Sequence, residues 1–200
     1  MIKAIIFDLG GVLIDWNPKY LYKGLFENEA EMDHFLLNVC TSDWNEEQDA
    51  GRTIEEGTQL LIKQFPDHEA NIRAFYGRWE EMLGGSIQGT VDIFKELKES
   101  GKYKIYALTN WSAETFPVAQ KRFDFLNWFD GVVVSGTERM RKPSPEFYQL
   151  LLDRYELKAD ECLFIDDNFR NIQAALKMGI DSIHFISPEE LRAELIDRGN

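Results

Sequence analysis

From Gly89 onward, short apolar runs alternate with stretches of helical periodicity, and no other feature of the chain limits its fold so sharply. The strands expected are Lys104-Ile105-Tyr106-Ala107-Leu108, Val132-Val133-Val134, 162–165 and 182–185. The helices expected are 90–100, about 113–121, 145–155, 169–178 and one from Pro188. Pro145 and Pro188 stand where helices start, and Gly101 and Gly179 stand just after helices end, as helix termini favour. A further strand at residues 2–7 opens the chain, rich in Ile and without polar alternation. Strands of that kind are buried on both faces, as in parallel sheets covered by helices. The expected class is α/β: a parallel-sheet, Rossmann-like three-layer core with right-handed crossovers.

Residues 16–86 differ in character. Apolar positions there recur with a helical period (Leu21, Leu25, Phe26; Met32, Phe35, Leu36, Val39; Leu60, Leu61, Ile62, Phe65; Ile72, Phe75, Trp79, Met82), and no strong strand is visible. This predicts a helical insertion at 16–86, with the α/β core made from 1–15 and 87–200. A chain of 200 residues, 44% of them hydrophobic, suffices for one core domain plus such an insertion. The net charge of −13 argues against nucleic acid and anionic membrane surfaces as partners. It is compatible with a small phosphorylated substrate if a divalent cation supplies local positive charge. The first apolar stretch is too short for a signal peptide or membrane span, and Asp8 interrupts it, so a cytoplasmic protein is expected. Cys40 and Cys162 lack metal-ligand spacing and read as reduced, buried thiols. A monomer is the default expectation.

Two core strands end in acids. Asp8 follows Ala4-Ile5-Ile6-Phe7, and Asp166-Asp167 follow Leu163-Phe164-Ile165. A charge at such a position is costly without a partner, a metal or a task. Asp8 can ligate a divalent cation or attack an electrophile; alone, before Gly10-Gly11, it reads equally as a turn cap. Of the adjacent acids, one can ligate a metal while the other orients or hydrogen-bonds, and Asp167 also suits the N-cap of the next helix. Thr109-Asn110 ends a third strand and can donate to phosphate oxygens; the pair is weak evidence by itself. Lys142, in Arg141-Lys142-Pro143-Ser144-Pro145, sits on a segment that the prolines hold extended, where it can neutralise a phosphate or a charged nucleophile. In a parallel α/β sheet the carboxyl ends of the strands line one crevice, which gathers these groups.

In the order Asp, Thr-Asn, Lys-Pro, Asp-Asp, this set resembles the four motifs of the haloacid dehalogenase superfamily, over nearly the whole chain. The resemblance implies a Mg²⁺-dependent phosphatase acting on a small phosphorylated metabolite, such as a sugar phosphate. Asp8 would be the nucleophile that forms an aspartyl-phosphate. Thr109 would hold the phosphoryl oxygens, and Lys142 would steady nucleophile and phosphate. Asp8, the Gly10 carbonyl, Asp166 and Asp167 would make the metal site, with Asp167 directly on the metal. Asn110 and Trp111 would line the substrate site. The insertion at 16–86 would be the helical cap of one large branch of the family.

Two positions depart from the pattern. Phosphatases of this family usually carry a second Asp two residues after the nucleophile as general acid and base; here Gly10 stands in its place. Such help is typically worth ~10²–10⁴-fold. Its absence implies reduced activity, a leaving group that needs little protonation (a sugar 1-phosphate or acyl phosphate), or a substitute among Asp15, Glu46, Glu47 and Asp49. A subset of bacterial sugar-1-phosphate phosphatases looks similar here. Arg139 stands where many relatives have a Gly three residues before the motif Lys, which puts the loop's shape in question. The alternatives are 2-haloacid dehalogenation, which uses no metal and which Asp166-Asp167 argues against, and a catalytically weakened member that only binds phosphometabolites. His34, His68 and His184 are scattered and read as structural, and Trp16, Trp44, Trp79 and Trp128 as packing.

Overall fold

The computed structural model describes residues 1–199. In chain order the strands are β1 (Ala4–Phe7), β2 (Ile14–Trp16), β3 (Leu83–Ser86), β4 (Lys104–Thr109), β5 (Gly131–Val134), β6 (Cys162–Asp166) and β7 (Asp181–His184). The α-helices are α1 (Lys19–Tyr22), α2 (Glu29–Asn38), α3 (Ser42–Asp49), α4 (Ile54–Gln64), α5 (Glu69–Gly77), α6 (Gln88–Glu99), α7 (Phe116–Arg122), α8 (Ser135–Glu138), α9 (Pro145–Arg154), α10 (Phe169–Lys177) and α11 (Pro188–Asp197).

β1, β4, β5, β6 and β7 form one parallel sheet in the order β5-β4-β1-β6-β7. The strands alternate their burial between two helical layers, as a pleat requires. Ile5, Phe7, Ile105, Ala107, Leu163 and Ile165 join one cluster with Phe94 of α6 and Leu191 of α11. Ala4, Ile6, Tyr106, Leu108 and Phe164 join the other with Phe147 and Leu151 of α9 and Ile172 of α10. The fold is the expected three-layer α/β class. Chain order reverses at β1, so β1, β4 and β6 open their carboxyl ends onto one crevice. Registers Phe7↔Ala107 and Phe7↔Ile165 put Asp8 level with the ends of both neighbours, and the Asp8 N–H donates to the Ile165 carbonyl at 2.8 Å.

Between β2 and β3 the chain is helical, as its periodicity predicts. Asn28, Thr41 and Thr53 cap α2, α3 and α4 by accepting from Glu31, Trp44 and Glu56 N–H. Aromatic rings fill the space between these helices: Tyr22 lies 5.1 Å from Phe35, and Trp44 5.1 Å from Phe75. Each such ring contributes roughly 1.5–3 kcal/mol through burial.

Three local expectations differ from the structure. β2 and β3 pair as an antiparallel ribbon at the edges of the insertion, where the residue pattern shows no strong strand. Both are short and β3 contains Gly84 and Gly85, so tertiary pairing rather than propensity makes them strands. The helix expected at 113–121 begins at Phe116, because Pro117 has no N–H to donate and belongs in a first turn. α8 has no counterpart among the expected helices; it is four residues long and contains Gly136. Beyond it, Arg139 takes a left-handed backbone (φ 56°), a conformation that glycine adopts most readily. Among the described residues, no helix is long and apolar enough to cross a membrane.

Candidate active site

Asp8 and Asp166 leave adjacent strand tips and meet on one cation. The Lys142 ammonium lies 2.9 Å from Asp8 Oδ2 and 2.7 Å from Asp166 Oδ2, and its side chain is fully buried. Burial by itself lowers the Lys142 pKa, but Asp166 and Asp8 outweigh it and hold the pKa above its ordinary value. Burial pushes the Asp8 carboxyl up; Lys142 opposes, while Asp166 and Asp167 add to the rise. The other Asp8 oxygen accepts the Leu9 N–H at 2.7 Å.

Asp166 is fully engaged. Its Oδ1 accepts from Asn168 N–H at 2.8 Å and from Asn171 Nδ2 at 3.0 Å, and its Oδ2 accepts from Lys142 and again from Asn171 at 3.0 Å. Asp167 is more open. Burial raises its pKa, with Asp166 adding to it, and its carbonyl lies 2.9 Å from His184 Nε2. Gly11 abuts it: with φ at 75°, a Cβ there would overlap the Asp167 carboxylate. From sequence, Gly11 reads only as a turn residue.

Asp8, Asp166 and Asp167 each offer a carboxylate oxygen, all within 4.8 Å of one another. When ionised, three carboxylates against the single Lys142 ammonium leave an excess of two negative charges, which is what raises the Asp8 and Asp167 pKa values further beyond burial. Hard oxygen donors with uncompensated negative charge suit a hard dication such as Mg²⁺.

Thr109 ends β4 fully buried, and its hydroxyl has no hydrogen-bond partner among the described residues. An orphaned buried hydroxyl costs roughly 1–3 kcal/mol unless something else fills the vacancy. Asn110 is already engaged: Nδ2 donates to the Lys142 carbonyl at 2.9 Å, and Oδ1 accepts the Lys142 N–H at 2.8 Å. It therefore holds the Lys142 segment, whose peptide to Pro143 is cis. Trp111 is buried, donates from Nε1 to Thr115 Oγ1 at 3.1 Å and meets Trp79 edge-on at 5.7 Å.

A cavity of about 290 Å³ lies between these groups and the helices that follow β2. Asp8, Gly10, Gly11, Asp167, Asn110 and Trp111 line it from the core. Trp16, Tyr76 and Trp79 line it opposite, with Asn45, Glu46 and Asp49 of α3. Trp16 and Trp79, expected as packing, thus face the site. Glu46 binds Arg141 at 2.5 Å and Arg170 at 3.1 Å, tying α3 to the core.

Comparison with known proteins places this geometry. The family described as "haloacid dehalogenase-like hydrolase" matches residues 2–179. The chain belongs to the haloacid dehalogenase-like hydrolases. The chain is similar to the sesquiterpene phosphatase astK of Aspergillus oryzae, 28% identical over 91% of this chain and 89% of that protein. The chain is also similar to the phosphorylated carbohydrates phosphatase of Thermotoga maritima, 25% identical over 91% of this chain and 84% of that protein. Among solved structures, the magnesium complex of the haloacid dehalogenase family enzyme bt-2542 from Bacteroides thetaiotaomicron shares the fold, with TM-score 0.74 and 21% identity over 93% of this chain and 94% of that one.

Within this haloacid dehalogenase-like site, Asn171 and Ser135 carry no signal in the sequence. Asn171 sits on α10, five residues beyond Asp166. Ser135 accepts the Trp111 N–H at 2.9 Å and donates to the Asp49 carbonyl at 2.5 Å. Neither belongs to a motif; only the register of β6 with α10 and the docking of α3 give them partners.

Proposed function

We propose that the protein is a Mg²⁺-dependent phosphomonoesterase that acts on a small phosphorylated metabolite through an aspartyl-phosphate on Asp8. The observation that carries this reading is Asp8 itself: a buried strand-tip carboxylate, bound to Lys142 and open to the cavity. Asp8 attacks phosphorus in line with the leaving oxygen. The Lys142 ammonium stabilises charge on nucleophile and phosphoryl oxygens, and the Thr109 hydroxyl donates to a phosphoryl oxygen. Water then hydrolyses the aspartyl-phosphate and restores Asp8. Asp8, Asp167 and the Gly10 carbonyl would hold Mg²⁺, with Asp166 orienting Lys142 because its own oxygens are already taken. Bound there, Mg²⁺ would offset the charge of the carboxylates and the phosphoryl group.

The helices between β2 and β3 serve as a cap over the reacting centre, and residues 1–15 and 87–200 serve as its core. The indoles of Trp16, Trp79 and Trp111 beside the acids suit an organic part with a flat apolar face, such as a sugar ring or an isoprenoid. The named phosphatases of carbohydrates and of a sesquiterpene among the relatives support both classes as first candidates. Dehalogenation needs no cation, and the three clustered carboxylates argue against it. The test is phosphate release from a panel of sugar, acyl and isoprenoid phosphates, with and without chelator, by wild type and Asp8→Asn. Chelator and Asp8→Asn should each abolish release; turnover persisting in Asp8→Asn would remove Asp8 as nucleophile.

A further inference from the structure

Phosphoryl transfer to Asp8 needs a proton at the oxygen that leaves phosphorus. Nothing on the core side of the cavity is free to give it. Asp8 is the nucleophile, Asp167 is a proposed Mg²⁺ ligand, Lys142 is clamped between two carboxylates, and Gly10 has no side chain. Of the acids near the cavity in sequence, Glu47 does not line it, while Asp15 accepts from the Tyr20 hydroxyl at 2.6 Å and also lies outside the lining. Glu46 lines the cavity but is paired with Arg141 and Arg170. Asp49 lines the cavity and, among the described residues, makes no ion pair.

We propose that Asp49, at the end of α3, is the acid–base catalyst of the reaction, filling from the helical insertion the role that Gly10 leaves empty. The proposal rests on the Asp8 phosphatase reading. In the first half-reaction the Asp8 Oδ–P bond forms, the P–O bond to the leaving group breaks, and the Asp49 carboxyl gives its proton to the departing oxygen, releasing an alcohol. In the second half, the Asp49 carboxylate takes a proton from the water that attacks phosphorus. The bond from phosphorus to Asp8 breaks, inorganic phosphate leaves, and Asp8 and Asp49 return to their starting states.

The position of Asp49 is fixed from several sides. Asn45 Nδ2 donates to its Oδ2 at 3.1 Å, and the Tyr76 hydroxyl of α5 donates to Asn45 Oδ1 at 2.8 Å. The Ser112 N–H, three residues beyond Thr109, donates to its carboxylate. Its carbonyl accepts from Ser135. The charged groups facing it are Glu46 on its own helix and Arg141 from the segment before α9, with Tyr76 from α5. Burial pushes the Asp49 carboxyl up to about 7; Glu46 adds to this, and Ser112 and Arg141 oppose it. A carboxyl titrating near the working pH suits proton transfer in both directions. Gly10 supplies an internal control. A Cβ there meets nothing within 4 Å, so an aspartate can be restored beside the nucleophile without a clash.

The experiment compares wild type, Asp49→Asn, Gly10→Asp, the Gly10→Asp/Asp49→Asn double variant and Asp8→Asn on 4-nitrophenyl phosphate and benzyl phosphate. Nitrophenolate leaves unprotonated; benzyl alkoxide does not. With folding checked by circular dichroism, Asp49→Asn should lose ~10²–10⁴-fold in kcat/KM on benzyl phosphate, the span of general acid–base catalysis, and change little on 4-nitrophenyl phosphate. The double variant should regain most of the benzyl phosphate activity. The wild-type profile for benzyl phosphate should fall as pH rises through about 7, where Asp49 deprotonates, and that limb should vanish in Asp49→Asn. An equal loss on both substrates, no loss on either, or failure of the folded double variant to recover overturns the proposal. Activity surviving in Asp8→Asn instead overturns the phosphatase reading beneath it.

Discussion

Replacing Lys142 with methionine tests what holds the core of the site together. At 2.9 and 2.7 Å, each ion pair is worth about 6 kcal/mol before solvation is counted, at the effective dielectric that suits protein sites. Desolvation of the ammonium cancels much of this, and breaking a buried pair typically costs ~3–5 kcal/mol. The two carboxylates are not left equally exposed by the change. Asp166 keeps Asn168 and both contacts to Asn171. Asp8 keeps only the Leu9 N–H, so it carries the penalty. It can escape by taking up a proton; burial already raises its pKa in the wild type, with Lys142 opposing, so the added loss stays below the full cost of protonation, which sets a ceiling. Protonating a carboxylate whose unfolded pKa is ~3.9 costs about 4 kcal/mol at pH 7 and about 1.5 kcal/mol at pH 5. Lys142→Met should therefore be destabilised by up to ~4 kcal/mol at pH 7, shrinking to ~1.5 kcal/mol at pH 5. Urea unfolding with chelator at both pH values, wild type beside variant, reads this directly. Adding Asp8→Asn to Lys142→Met should recover most of the loss at pH 7 and little at pH 5. A penalty below ~1 kcal/mol at pH 7, or one that does not change with pH, would refute the view that Lys142 exists in the fold to neutralise Asp8.

Gly11→Ala combines left-handed backbone with displacement of the Asp167 carboxylate, so it should lose ~1–2 kcal/mol of stability and bind Mg²⁺ more weakly by titration calorimetry, whereas Gly10→Ala should change neither by much. Asp49→Asn should stabilise the protein above neutral pH. The native Asp49 carboxyl titrates at about 7 against an ordinary 3.8, so its contribution is intact below ~4 and is lost as pH rises through 7. The variant's advantage should be near zero at pH 4 and reach up to ~4 kcal/mol by pH 8 in denaturant titrations, and a flat difference would contradict the burial of this group.

The acids at the strand tips are legible in the sequence because a charge directly after an unbroken apolar run is too costly to stand there without a partner or a task. Asp8 and Asp166 therefore surface from residue order alone, while Lys142, a lysine in a basic run, takes meaning only from its company. Asn171 has no such contrast. An asparagine on the first turns of a helix is ordinary, and its two bonds to Asp166 depend on how α10 packs against β6. The acids of α3 are harder still. Glu46 and Asp49 are three residues apart and share a helix face, so periodicity treats them alike. Only the docked structure separates them, because Arg141 and Arg170 reach Glu46 and leave the Asp49 carboxylate on the cavity with the Asn45 amide and the Ser112 N–H as partners. β2 and β3 are invisible in the sequence for a related reason: their pairing comes from chain ends brought together by the insertion, not from any strand-like pattern.

The two halves of the proposed reaction rest on different parts of the fold. The groups that bind and attack phosphorus come from strand ends of the parallel sheet, where burial on both sides fixes them. The group that moves the proton comes from α3, held to the core by contacts at the cavity rim: Glu46 to Arg141 and Arg170, Ser112 to the Asp49 carboxylate, and Ser135 to the Asp49 carbonyl. Ion pairs at a partly exposed rim are worth little individually, commonly ~0–1 kcal/mol. Nucleophile and phosphate site thus rest on the sheet, and the proposed proton donor rests on side-chain contacts between α3 and the segments after β4 and β5. The helix that walls one side of the cavity also carries the proposed proton donor, so substrate fit and proton transfer depend on the same docking contacts, with no motif that the sequence could display.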